Sequence, residues 1–135
     1  MAKAEFTFKG KTMSELNSME LADFANLLDT RHKRSLLRGI DKPFMKRIEK
    51  AIKNKEVVGH QKKPVKTHGR DAIIVPKMVG LLLGVYNGKE FVIVQVSEKM
   101  LGHYLGEMAL TRKRLVHGKA GIGATRSSTA ITARG

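Results

Sequence analysis

The chain contains no cysteine and no tryptophan, and it has only 12 acidic residues against 26 lysines and arginines. Without cysteine it can form neither a disulfide nor a thiolate zinc site, and it suits a reducing cytosol. Without tryptophan, any stacking on a base falls to few rings. No apolar run approaches the roughly eighteen residues of a membrane helix. The longest, Val79 to Val85, is broken by Gly80 and Gly84. The N-terminus lacks the basic-then-apolar pattern of a secretion signal. The shortage of acids matters most. It leaves a net charge of +14 on 135 residues and a pI of about 10.3. That surplus repels itself unless phosphate stands against it, on nucleic acid or on a membrane surface. A membrane-surface role would need a strongly apolar face opposite the lysines, and none is evident.

The charge is unevenly placed. Val57 to Arg70 holds no acid, and neither does Met108 to Gly135. A solvated surface normally mixes signs, so two acid-free segments point to surfaces held against something anionic.

The front of the chain reads as helix. Ser18 is placed to cap a helix from Met19 to Leu28, with Leu21, Phe24, Ala25 and Leu28 at helical spacing. Glu20 and Asp23 in its first turn suit the helix dipole. A second helix runs from about Thr30 to Arg38 and stops at Gly39. A third starts near Asp41, with Pro43 early, where its missing N–H costs little. Phe44, Ile48, Ala51 and Ile52 give the third helix an apolar stripe. Its other side carries Lys42, Lys46, Arg47, Lys50 and Lys53.

Gly59 to Gly69 shows no apolar periodicity and is expected to be an extended linker. Ala72 to Val75 is expected to be a short buried strand, ended by Pro76. Leu81 to Tyr86 and Glu90 to Val96 flank Asn87-Gly88-Lys89, which predicts a hairpin with a type I′ turn. The consecutive Val92, Ile93 and Val94 predict a sheet covered on both faces. Ser97 caps a short helix with Glu98 in its first turn, and His103 to Met108 makes another turn. Gly118 to Gly135 cannot bury enough apolar surface to offset chain entropy and is predicted to be disordered when free. The expected class is α+β: a small core of about three strands, including the Asn-Gly hairpin, with short helices. The expected division is a helical N-terminal extension (1–58), a basic linker (59–70), an α/β core (71–116) and a glycine-rich basic tail (117–135).

Two patterns suggest enzymes and fall short. Gly118, Gly121 and Gly123 lack the lysine and the strand-to-helix setting of a phosphate loop. They suit a backbone passing close to another surface, with Lys119 and Arg126 pairing with phosphates. His103 and Glu107 stand four residues apart, but a metal site needs a third ligand. His32, His60, His68 and His117 cluster nowhere useful by sequence. A hydrogen-bonded histidine, or a Glu107 paired with a nearby base, is the simpler reading. Nor is there a carboxylate cluster fit to hold catalytic magnesium. No enzyme, metal or cofactor is expected.

Three basic constellations carry more weight. They are Arg31, His32, Lys33, Arg34 and Arg38; Lys62, Lys63, Lys66, His68 and Arg70; and Arg112, Lys113 and Arg114 with the following tail. Arginine forks onto phosphate, while lysine acts as a mobile point charge. Loops and tails of this kind fit irregular RNA, which is read by shape. The alternative is a chromatin-like protein that compacts DNA. Against it, the second and third helices make a poor helix-turn-helix.

The order of residues in the last third adds a family. Asn87-Gly88-Lys89 is followed by Val96, by Leu101-Gly102-His103-Tyr104-Leu105-Gly106-Glu107-Met108 and by Thr111. His117-Gly118-Lys119-Ala120-Gly121-Ile122-Gly123-Ala124-Thr125-Arg126-Ser127-Ser128 comes next. Arg70 to Pro76 with Met78-Val79-Gly80 fits the same pattern. The sequence closely resembles the S-nineteen family of small-subunit ribosomal proteins, over roughly Lys62 to Ser128 and more loosely in front. The glycine-rich tail and helical front end are similar to the archaeal and eukaryotic branch, whose eukaryotic member is called S-fifteen. Met108 stands where an aromatic is commoner, and Tyr104 where bacterial members usually carry lysine. Ile131 to Gly135 match no family pattern.

The resemblance implies a structural protein of the small-subunit head, in cytoplasmic ribosomes and without a homo-oligomer. It would bind small-subunit rRNA beside a ribosomal protein of the S-thirteen family, near the large subunit, with its tail approaching A-site tRNA. Carried onto this chain, the implied rRNA contacts are Lys62, Lys63, Lys66, His68, Arg70, Lys89, His103, Arg112, Lys113, Arg114, His117, Lys119 and Arg126. Gly88, Gly102 and Gly106 would permit tight turns or close backbone approach.

Overall fold

A computed structural model of the chain describes residues 6–58 and 63–115, with backbone alone at 56–58. The glycine-rich tail, the start of the linker, and Lys62, His117, Lys119 and Arg126 lie outside the described residues. The first element is a small antiparallel hairpin, β1 (Thr7–Phe8) and β2 (Lys11–Thr12). Lys9 and Gly10 both take positive φ, as a two-residue type I′ turn requires. Helix α1 (Met13–Ser18) follows, and Glu15 Oε2 accepts the Thr12 N–H at 3.0 Å. That is half of a capping box, whose sequence signature is a threonine three residues before a glutamate.

Ser18 therefore closes a helix instead of opening one, and its hydroxyl donates to the Glu15 carbonyl at 2.8 Å. The expected helix from Met19 is α2 (Leu21–Leu27), entered through Glu20. Phe24 and Ala25 are buried as its spacing implied, but Leu21, in the first turn, stays 42 % exposed. Helices α3 (Thr30–Leu37) and α4 (Lys42–Val58) fall where periodicity, Gly39 and Pro43 placed them. Phe44, Ile48 and Ala51 are buried along α4, and Ile52 is partly so.

The main sheet has three strands in the order β3 (Val65–Thr67), β4 (Leu82–Tyr86), β5 (Phe91–Gln95). The expected linker thus contributes a strand, parallel to β4. It escaped the periodicity reading because it has only three residues, of which only Val65 is apolar. Arg47 of α4 donates to the Lys66 carbonyl at 2.9 Å and ties the helix to this edge.

The expected strand at Ala72–Val75 is a correction. Ile73, Ile74 and Val75 are buried, yet only one isolated bridge forms there, Ile73 with Tyr104. The backbone pairs instead with an irregular loop: Ile74 N–H donates to His103 O, Gly102 N–H to Ile74 O, and Leu105 N–H to Ala72 O. The hairpin turn is a second correction. Among residues 87–90 only Gly88 has positive φ, whereas type I′ needs two such residues. Asn87 N–H donates to Glu90 O across the turn, and the Asn87 side-chain oxygen accepts the N–H groups of Lys89 and Glu90. A glycine at the first central position matches type II′.

After β5 come two single turns of 3₁₀ helix, Glu98–Met100 and Leu105–Met108. Ser97 precedes the first as expected, though its hydroxyl makes no capping bond. One buried cluster joins Leu16, Phe24, Leu36, Phe44 and Ile48 of the helices to Ile73, Met78, Leu83, Val85 and Leu105. Gly102 shows how tightly the front docks. A Cβ there would sit 2.9 Å from the Leu28 side chain and 3.4 Å from the Phe8 ring.

Candidate nucleic-acid interface

Register sets the chemistry of the sheet. β4 and β5 pair Leu83 with Val94, Val85 with Val92, Gly84 with Ile93 and Tyr86 with Phe91; β3 sets Lys66 beside Gly84. Alternation therefore sends Val65, Thr67, Leu83, Val85, Val92 and Val94 to one face and Lys66, Gly84, Tyr86, Phe91 and Ile93 to the other. Of the first set, Leu83 and Val85 belong to the cluster shared with the helices, Val65 and Val92 pack against it, and Thr67 and Val94 are buried. The second is open, with Ile93 62 % exposed. Among the described residues this second face is thus not covered as the first is. The apolar run in β5 hid a period of two.

Arg70 organises one end of this sheet. Its guanidinium donates to Tyr86 O at 2.6 Å, Gly106 O at 2.7 Å and Ala109 O at 2.6 Å. Three of its five N–H donors are spent on carbonyls, one at the end of β4 and two on the Leu105–Met108 turn and its C-cap. Gly106 makes room for it: a Cβ there would lie 3.0 Å from the Arg70 carbonyl oxygen and 3.3 Å from Nε. Both Gly102 and Gly106 thus serve close approach within the protein.

The clamp gathers the expected contact residues at the turn. His68 lies against the Tyr86 and Phe91 rings, with centroids 4.5 and 5.1 Å away. Lys89 is exposed on the turn itself, where the φ of +100° at Gly88 reverses the chain. Arg112, Lys113 and Arg114 follow the clamped Ala109 and are all exposed. Lys113 Nζ reaches Glu90 at 3.9 Å, a loose surface pair of little energetic worth. Lys63 is exposed just ahead of β3.

His103 belongs to a second locus. Its Nδ1 lies 2.7 Å from Glu107 Oε2 and donates to it, since an ionised carboxylate only accepts. The other carboxylate oxygen accepts the Tyr104 N–H at 3.3 Å. The His103 hydrogen bond, outweighing the desolvation that opposes it and helped by the Tyr104 N–H, holds the Glu107 carboxyl below its ordinary pKa. Next to this pair, His32 of α3 stacks on Tyr104 at 4.8 Å, and Arg31 lies 5.7 Å from the same ring. Arg34 and Arg38 continue the basic side of α3. With Thr30, Arg31 and Ser35 they line a hollow of about 430 Å³. The hydrogen-bonded reading of His103 and Glu107 holds. Among the described residues no three histidines or acids lie together as a metal site would require.

The rings were missed in the sequence. Their signal was Lys66 in β3 with His68 just past its end, and Phe91 and Ile93 alternating in β5.

The sequence model of ribosomal protein S19 matches residues 32–117, well over half of the chain. The chain belongs to that family. It is a structural, rRNA-binding constituent of the small ribosomal subunit and works in translation, as a non-enzymatic family does. The match starts further forward than the resemblance at Lys62, taking in most of α3 and all of α4, and it ends at His117. The β1–β2 hairpin, α1 and α2 precede it. No helix among the described residues is long and apolar enough to cross a membrane.

Proposed function

We propose that this S19-family protein is of the archaeal and eukaryotic type and holds rRNA of the small-subunit head together near the A site. In this reading it lies beside an S-thirteen-family protein and faces the large subunit, in ribosomes of the cytoplasm. Its tail from His117 approaches A-site tRNA. The work is done by phosphate pairing with release of counterions, so binding weakens steeply as salt rises. The observation that carries the reading is the family match, which spans the clamp and the basic segment behind it.

The rRNA contacts fall into two groups. Lys63, Lys66, His68, Lys89 and Arg112 to Arg114 serve the sheet's turn end, and His103 serves the locus beside α3. Lys62, His117, Lys119 and Arg126 extend the contacts beyond the described residues. Arg70, spent on three carbonyls, acts by shaping the first group.

The test is a sucrose-gradient fractionation of native lysate, with and without a high-salt wash. Chemical cross-linking of the washed subunits then identifies the neighbours. Cosedimentation that survives the wash, with cross-links to head rRNA and an S-thirteen-family protein, is the expected result. A protein left at the top of the gradient, or one that follows DNA, overturns the reading.

A further inference from the structure

Among the described residues the open face of the β3–β4–β5 sheet has no structural task that accounts for it. Tyr86, Phe91 and Ile93 are apolar or aromatic, yet none belongs to the buried cluster or packs against it. They form a satellite on the far side. Tyr86 and Phe91 are a cross-strand pair with ring centroids 5.2 Å apart, and His68 packs on both. Lys66 lies across the middle strand, its Nζ 5.2 Å from the Phe91 centroid. Gly84 permits this crossing. A Cβ at Gly84 would lie 3.3 Å from Lys66 Cγ and 3.6 Å from Phe91 Cβ. The result is a partly exposed ring surface on a rigid ladder, with a cation resting on it.

A cross-strand aromatic pair stabilises a hairpin by itself. That does not explain an exposed histidine ring, an isoleucine 62 % exposed and a lysine laid over bare backbone. Charge decides the occupant. The chain carries +14, and Lys66, Lys89 and Lys113 stand on or beside this face. Its neighbouring acid, Glu90, is already near Lys113. Rings in a basic surround are what single-stranded nucleic acid uses, because every base offers a π face.

We infer that this face is a stacking platform for an unpaired nucleobase of the small-subunit rRNA. The base lies on the His68–Phe91 surface. Lys66, displaced from the ring, pairs with a flanking phosphate. The inference rests on the rRNA-binding role and names a place for it that charge alone does not. It assigns Phe91, Tyr86 and Ile93, which carry no charge, to the RNA contact.

The test uses the full chain and purified small-subunit rRNA, with affinity measured over a salt series. Phe91→Leu keeps apolar bulk on the strand but removes the π face. It lowers affinity about tenfold and leaves the slope of log K against log salt unchanged, because no phosphate contact is lost. Lys66→Met lowers the slope by about one. Ultraviolet cross-linking of the wild-type complex joins a nucleotide to the peptide that carries Phe91 or the one that carries His68.

Should Phe91→Leu fail to melt as a folded protein, His68→Gln takes its place. Its ring is exposed, and the expected result is again weaker binding at constant slope. Unchanged affinity in the folded variant, or cross-links that join this face to a protein in intact subunits, overturns the platform. If the wild type itself binds the rRNA without a steep salt slope, the broader reading fails first, and that outcome is visible before any variant is made.

Discussion

The two faces of one small sheet show opposite uses of the same strands. Leu83, Val85 and Val94 point inward and are buried, with Leu83 and Val85 wholly removed from water. Tyr86, Phe91 and Ile93 alternate with them and point outward, and Ile93 is 62 % exposed. Both sets are apolar, so hydropathy cannot tell them apart. Register and covering do: the first face joins the cluster it shares with the helices, while among the described residues the second carries Lys66 and His68 across it. One face fixes the fold. The other is held rigid by it and is left for the ligand.

Breaking the inner face has the largest effect. Leu83→Ala removes a fully buried side chain from the central strand and destabilises by about 3 kcal/mol, a transfer loss plus a cavity. Urea unfolding of the full chain measures it, and a loss below about 1 kcal/mol would mean that the site collapses without harm. Binding per folded molecule keeps its salt slope. Arg70→Met comes next. It keeps the stem but leaves the carbonyls of Tyr86, Gly106 and Ala109 without their donor, at a cost of about 2 kcal/mol. Were Arg70 instead a phosphate contact, stability would hold and the salt slope would fall by about one.

This contrast explains what was legible in the chain. Helices α3 and α4 announce themselves by length, spacing and the stop at Gly39, and strands β4 and β5 by apolar runs on either side of Asn87-Gly88. The expected α+β class with a three-strand core is what forms. Its third strand, however, is Val65–Thr67 and not Ala72–Val75. Three residues give no period, and β3 is defined only by its parallel partner in β4. Ile73 to Val75 look like a strand because they are buried, but the loop they face bonds them irregularly. Helix α1 was missed, although Thr12 three residues before Glu15 carries the signature of a capping box. The Arg70 clamp was not legible, since its acceptors lie 16, 36 and 39 residues away. Among the expected contacts, composition finds cations but cannot tell a cation spent on carbonyls from one left at the surface.

The surface cations sharpen the comparison from the other side. Changing Arg112, Lys113 and Arg114 together to alanine removes charge that no buried group needs, as all three are exposed. The melting temperature of the free protein should barely move. Binding to small-subunit rRNA should weaken, and the salt slope should fall by about two to three. A slope that stays constant removes the trio from the contacts, and with it the view that the clamp delivers this segment to RNA.

The smallest effect is expected at Glu107. Its carboxyl is held below its ordinary pKa chiefly by the His103 hydrogen bond, so the folded state favours the ionised form. A depressed carboxylate pKa adds stability that is complete above the unfolded value and is lost as pH falls through the folded one. The loss therefore lies on the acid side, below about pH 4.5, and nothing of it appears at neutrality. The side chains of His103 and Glu107 are 53 % and 47 % exposed, so solvent screens the pair and its worth is about 0.3 kcal/mol. Glu107→Gln keeps an acceptor for the Tyr104 N–H and removes only the charge. It should flatten that acid limb slightly in melts taken from pH 7 to pH 3, with rRNA binding at neutral pH unchanged. A large fall in binding would instead show that the pair holds His103 in position for RNA, and the locus beside α3 would then rank with the sheet face as a contact.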